Sequence, residues 1–178
     1  KSSNPMVIDY ASNGMRSDFM DIYLGAKCEF CISGVAGFDA VPIIFRRPVA
    51  WVNFVPFGWL PTSGAQFIGI TKHHFSHQKN RELTLKEIFT NDVGFWRRTS
   101  DYESEGIQHI ENTPEEIRDA VIELAERLKG TWQPQGDDLA LQRKFWEIFP
   151  TEAKMAADKP LHGETLSHFG AAFLRDNR

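Results

Sequence analysis

The sequence predicts an α/β domain with a doubly wound, mainly parallel sheet and additional helices toward its carboxyl end. Three observations carry that prediction. From Met6 to Gly130, short apolar runs alternate with helix-like periodic segments, the pattern left by strands joined through helical crossovers. Residues 27–54, KCEFCISGVAGFDAVPIIFRRPVAWVNF, hold two apolar runs around a glycine-bearing turn and a short helical stretch. Two helix starts are spelled out by Thr84 with Glu87 and by Thr113 with Glu116, each a capping box in which threonine and glutamate satisfy each other's backbone amides. About five strands with right-handed crossovers are expected.

Composition bounds what such a domain can do. A chain of 178 residues can bury one substantial core, so residues 1–178 are expected to form a single domain. With 42% hydrophobic and 25% charged residues the chain is globular in composition. A net charge of −4 with no dense Lys/Arg block argues against nucleic acid or an anionic membrane as the main partner. No apolar stretch has the length of a membrane span and no signal peptide is recognisable, so a cytoplasmic location is expected. The chain opens on Lys1 instead of methionine and enters an expected strand within a few residues, so it reads as cut from something longer.

In chain order, residues 6–10 (MVIDY) read as a first short strand and Ser12-Asn13-Gly14 as a turn. Ser17 can cap a helix in which Phe19, Ile22 and Tyr23 recur at helical spacing, ending near Gly25. Residues 28–32 read as a central strand buried on both faces, flanked by residues 6–9 and 49–53. After residue 54 comes a proline- and glycine-rich loop, in which Phe57 and Trp59 are available to pave a pocket or an interface. A strand over 66–70 and a polar loop over 71–81 follow. Residues 84–89 form a short helix and 107–110 a last strand. The helix after Pro114 presents Ile117, Val121, Leu124 and Leu128 on one face up to Gly130. Another helix begins at Asp137 or Asp138, and Phe169, Phe173 and Leu174 suggest that the tail docks.

The turn after residues 28–32 is the candidate binding site. In open parallel sheets ligands bind beyond the carboxyl ends of the strands, where backbone amides are free to meet an anion. Ser33, Gly34, Val35, Ala36, Gly37 and Phe38 make up that turn, and Gly34 and Gly37 allow close approach to the main chain. Asn53, at the end of the next strand, is expected beside it, and Arg16 could approach a diphosphate and stabilise a leaving group. Asp18 and Asp21 either complement a helix dipole, the favoured reading, or reach a ligand hydroxyl at the mouth of the sheet.

Cys28 and Cys31 have CxxC spacing. Residues three apart on a strand point to opposite faces, which reads them as structural thiols. His73, His74 and His77 are read as exposed loop histidines without a metal, because nothing indicates a helix that would gather them. Neither cofactor nor metal is expected.

Four blocks in fixed order are more specific than the turn alone: VIDYA, RSDFMDIYLGAKCEFCISGVAGFDAVPIIFRRPVAWVNFVP, RELTLKEIF and GIQHIENTPEEIRDAVIELAERLKGTW. Together they resemble the carboxyl-terminal part of a family of bacterial glycosyltransferases associated with surface-polysaccharide synthesis, and the resemblance runs from Pro5 almost to the end. It implies a GT-B-like architecture in which two Rossmann-like lobes face each other and the carboxyl-terminal one binds a nucleotide-diphosphate sugar. The missing amino-terminal domain would then be a partner, and this chain alone would not be active. The resemblance carries over no catalytic residue. Two other classes remain open: a non-catalytic binding module, and a nucleotide-sugar 2-epimerase-like enzyme, for which Asp39 or Glu29 would need an acid-base partner.

Overall fold

The run Val49–Phe54 forms β2, the strand around which the main sheet is built. The computed structural model describes residues 2–155 and 158–177. Five of the six residues of β2 are buried because strands lie on both its edges: β1 (Cys31–Ser33) on one side and β3 (Phe67–Thr71) on the other, both parallel to it. A fourth parallel strand, β7 (His168–Phe169), pairs with β3, giving the order β1-β2-β3-β7. With its several helices, this α/β arrangement is compatible with a Rossmann-like fold.

Two expectations fail at the amino end. Residues 6–10 form no strand: the segment is apolar but has no neighbour to pair with, and Met6 is 87% exposed. The strand expected over 28–32 begins only at Cys31, because α1 (Asp18–Lys27) runs on until Cys28 caps it. It is an edge strand, not a central one, and Ile32 is half exposed where burial on both faces was expected. The central positions belong to β2 and β3. Ser17 caps α1 as expected, accepting from the N–H of Met20.

Residues 71–81 are not a loop. The chain leaves β3 at Thr71 and after Lys72 enters β4 (His73–Ser76), which pairs antiparallel with β5 (Arg81–Glu82) and β6 (Ile107–Ile110). A second sheet of order β5-β4-β6 results. The polar sequence HHFS hid a strand that cross-strand backbone pairing stabilises, a case in which tertiary context overrides local propensity.

Helices cover the main sheet from both sides. On α5 (Pro114–Lys129), Leu124 is buried with Val121 and Leu128 around it, and these pack on Ala50 of β2 and Ile68 of β3. Thr113 and Glu116 form the expected capping box, Pro114 opens the helix, and Gly130 closes it at φ 69°, a left-handed position that suits glycine. The other side holds the main core around Phe57, whose ring lies 4.9 Å from Phe89 of α3 (Leu85–Thr90), 5.9 Å from Phe145 of α6 (Asp138–Ile148) and 5.2 Å from Phe169. Phe57 is thus a core residue, not paving for a pocket. Full burial of each such ring stabilises by about 1.5–3 kcal/mol.

The tail docks as expected. Glu123, buried on α5, accepts the N–H of Ala171 at 2.7 Å and pairs with Arg127, which fastens the start of α7 (Ala171–Asp176). Asp138 pairs with Arg175 from the same short helix. Among the described residues, no helix is long and apolar enough to cross a membrane.

Candidate functional site

Three elements build the turn after β1. The strand delivers Ser33, a 3₁₀ turn (Gly37–Asp39) leads into α2 (Ala40–Ile44), and β2 lies alongside with Trp51 opposite Ser33. Asp39 ties them together: its Oδ2 accepts from Ser33 Oγ at 3.2 Å and from the indole N–H of Trp51 at 3.0 Å. Ser33 Oγ in turn lies 3.4 Å from the N–H of Ala36. With Ser33 itself buried, the network fixes the base of the turn and leaves its crown to solvent.

The crown differs from expectation in one respect. The residue in the left-handed region is Val35, at φ 65°, and neither Gly34 nor Gly37 has a positive φ. A β-branched residue there is strained by about 1–3 kcal/mol, a cost seen most often at binding sites. What the glycines contribute is access. A Cβ added at Gly34 or Gly37 would meet no atom within 4 Å.

Arg16 and Phe38 line one cavity of about 510 Å³, together with Leu24, Cys28, Cys31 and Ile32. The guanidinium of Arg16 lies 3.4 Å from Asp21 and its side chain is 66% exposed, so this weak pair leaves it able to turn toward a ligand. Asn53 is drawn elsewhere. It sits two residues beyond Trp51, but its side-chain oxygen accepts the N–H of Asn112 at 2.6 Å, and Asn112 Oδ1 accepts the N–H of Asn53 at 2.7 Å. Of the expected site residues the structure therefore brings Arg16 and Phe38 onto one cavity, whose lining does not include Ser33 to Gly37, and turns Asn53 toward the junction of the two sheets.

The cysteines do not diverge as strand geometry implied, because Cys28 caps α1 and only Cys31 lies in the strand. Both are free thiols on the same cavity. Burial pushes the Cys31 thiol up to about 11, which keeps it protonated and poorly nucleophilic.

The histidines also depart from the loop reading. His73 lies between two carboxylates, with Nδ1 2.9 Å from Glu82 and Nε2 2.9 Å from Glu116. Burial lowers its pKa, but Glu116 and Glu82 outweigh burial and the net direction is upward. His74 is buried, donates Nδ1–H to the carbonyl of Lys72 at 2.9 Å, and is pushed down to about 3 by burial and by neighbouring His109. Strand alternation could have separated these two roles, since adjacent residues of a strand face opposite sides. His77 alone is exposed as expected. Among the described residues, no group of three or more His, Cys, Asp or Glu is arranged to hold a metal ion.

Asp39 and Glu29 were the candidates for epimerase-like acid-base chemistry. Asp39 is engaged by Ser33 and Trp51, and Glu29 is exposed. Comparisons with protein-family models, with curated proteins and with solved structures find no match.

Proposed function

We infer that this chain is the nucleotide-sugar-binding lobe of a glycosyltransferase acting in surface-polysaccharide synthesis. The observation that carries the reading is the open turn from Ser33 to Phe38 at the carboxyl end of a parallel strand, with unobstructed backbone at Gly34 and Gly37. The four sequence blocks that resemble such enzymes support it. On this reading the helix-covered parallel sheet is a doubly wound, Rossmann-like lobe of a GT-B architecture. Backbone amides of the turn receive the diphosphate, Arg16 offsets its charge, and exposed Phe38 stacks on the base. A second lobe would cover the other side of the donor, orient the acceptor and exclude water, effects worth several kcal/mol of barrier.

One lobe alone binds weakly and transfers nothing, with a dissociation constant on the order of a millimolar. The test is an NMR titration of labelled protein with uridine, guanosine and cytidine diphosphate sugars. Saturable shifts at Gly34, Gly37 and Phe38 support the assignment. Gly37→Val should abolish them without unfolding the chain, because its side chain would enter only the space the ligand needs. Shifts centred on His73 and Glu116, or turnover of a donor by this chain alone, would overturn it.

A further inference from the structure

Thirteen of the eighteen large apolar side chains left exposed among the described residues lie between residues 6 and 45. They lie toward the β1 edge of the main sheet, beyond which no further strand pairs among the described residues. β1 pairs only with β2, and β7 at the opposite edge is shielded by its contacts with α6. On α1, Phe19, Ile22 and Tyr23 form an exposed stripe at helical spacing, and the rings of Phe19 and Tyr23 are stacked with centroids 5.9 Å apart. Exposed apolar surface so concentrated marks an interaction surface.

We propose that this face binds a second copy of the same chain through a two-fold axis, with β1 antiparallel to the partner's β1 and α1 antiparallel to the partner's α1.

Two features select a second copy. The first is the edge itself. In a parallel pair alternate residues bond to the neighbouring strand, and the N–H of Cys31 bonds to the carbonyl of Pro48 at 2.9 Å. Ile32, the middle residue of β1, therefore turns its N–H and C=O to the open side. An antiparallel two-fold can make Ile32 pair with itself through two hydrogen bonds at the axis. The second feature is charge. α1 begins with Asp18 and ends with Lys27, both exposed and, among the described residues, neither in an ion pair. Antiparallel packing of two such helices sets Asp18 of each opposite Lys27 of the other, with Ile22 and Tyr23 at the centre. An isologous interface requires such self-complementarity. One axis perpendicular to the sheet serves both pairs, since it makes the strands antiparallel and keeps the two helices side by side on one face. The two β1 strands then point in opposite directions, so the turns after Ser33 open at opposite ends of the dimer.

Sedimentation velocity over a dilution series tests the proposal. The expected result is a two-chain species that dissociates to one chain on dilution. Ile32→Pro removes an N–H that β2 does not use, and Cys31 before it is already extended, so the fold should persist by circular dichroism. The dimer dissociation constant should rise about tenfold or more, because two hydrogen bonds at the axis are lost. Asp18→Lys should weaken the dimer and Asp18→Lys with Lys27→Asp should restore it, which only a copy-to-copy helix pair can do. A single-chain species at every concentration, species larger than two chains, or no rescue by the double substitution would overturn the proposal. The Asp18 and Lys27 variants, neither in the lining of the cavity shared by Arg16, Phe38 and Ile32, read the dimer apart from the sugar-nucleotide shifts at Gly34 and Gly37.

Discussion

Replacing Asn112 with alanine should cost more stability than any exposed polar substitution in the chain. Asn112 is buried where β6 gives way to α5, and its side chain joins three segments. Its Oδ1 accepts the N–H of Asn53 at 2.7 Å, and its Nδ2 donates to the carbonyl of Thr71 at 2.7 Å. Truncation leaves both main-chain groups, at the ends of β2 and β3, without partners where water does not easily reach. Each orphaned group costs about 1–3 kcal/mol, so the loss of both should be about 2–6 kcal/mol. For a domain this size, 1 kcal/mol moves Tm by about 2–4 °C, which puts the expected fall near 10 °C. Asn112→Asp separates the two bonds. It keeps an acceptor for Asn53 but turns an oxygen on the carbonyl of Thr71, so it should lose much of the same stability at neutral pH. Urea and thermal unfolding followed by circular dichroism would measure both variants. A loss below about 1 kcal/mol for Asn112→Ala, or an aspartate variant as stable as the parent, would show that the joint between the sheets is not held this way.

Acid should weaken the fold through His74. Its pKa is about 3 when folded against an ordinary 6.5, so its contribution is whole above pH 6.5 and drains away as pH falls toward 3. The slope from this one group is about 1.4 kcal/mol per pH unit. Urea midpoints measured across that window should fall less steeply for His74→Phe than for the parent, and parallel curves would sink the assignment. His73 works in the opposite direction. Both its nitrogens face carboxylates, so it must carry two protons to donate to both, and its pKa is raised. Its contribution is whole below the unfolded pKa and is lost as pH rises through the folded value. A ¹⁵N spectrum still showing neutral imidazole at His73 below pH 6 would contradict this. Gly69→Ala would put a Cβ 2.6 Å from Leu60, inside β3 where the backbone cannot retreat. A loss of about 1–3 kcal/mol is expected, and a neutral effect would mean that Leu60 moves freely.

What was legible in the sequence was local. Thr84 with Glu87 and Thr113 with Glu116 announced two helices because every atom of a capping box lies within four residues. The apolar run at Val49–Phe54 announced β2 because a strand buried on both faces is almost wholly apolar, here interrupted only by Asn53 near its end. The turn at Ser33 to Phe38 was legible as a turn, but its backbone was not: the strained residue is Val35, and composition alone pointed to the glycines. Long-range pairing was illegible. Met6 to Ile8 has strand chemistry and no partner, whereas His73 to Ser76 lacks strand chemistry and has two partners. Asn112 gave no signal beyond preceding a helix start, because its role depends on Asn53 and Thr71, which lie far off along the chain.

The pairing of Ile68 with His168 spans a hundred residues of chain. Synthesis at about 5–20 residues per second therefore leaves β3 waiting roughly 5–20 s for its outer neighbour. During that interval the antiparallel sheet can close on itself, since β4, β5 and β6 all precede residue 111. The parallel sheet cannot close. Until the last strand arrives, β3 shows its surroundings an unpaired rim, the kind of template on which chains join wrongly. Gln142, on the helix completed just beforehand, already holds out the oxygen that will accept the N–H of Phe169. A nascent chain halted after that helix would be a folded hairpin sheet attached to an unsealed one, and its hazard to the cell would lie in β3, not in the residues it had yet to make.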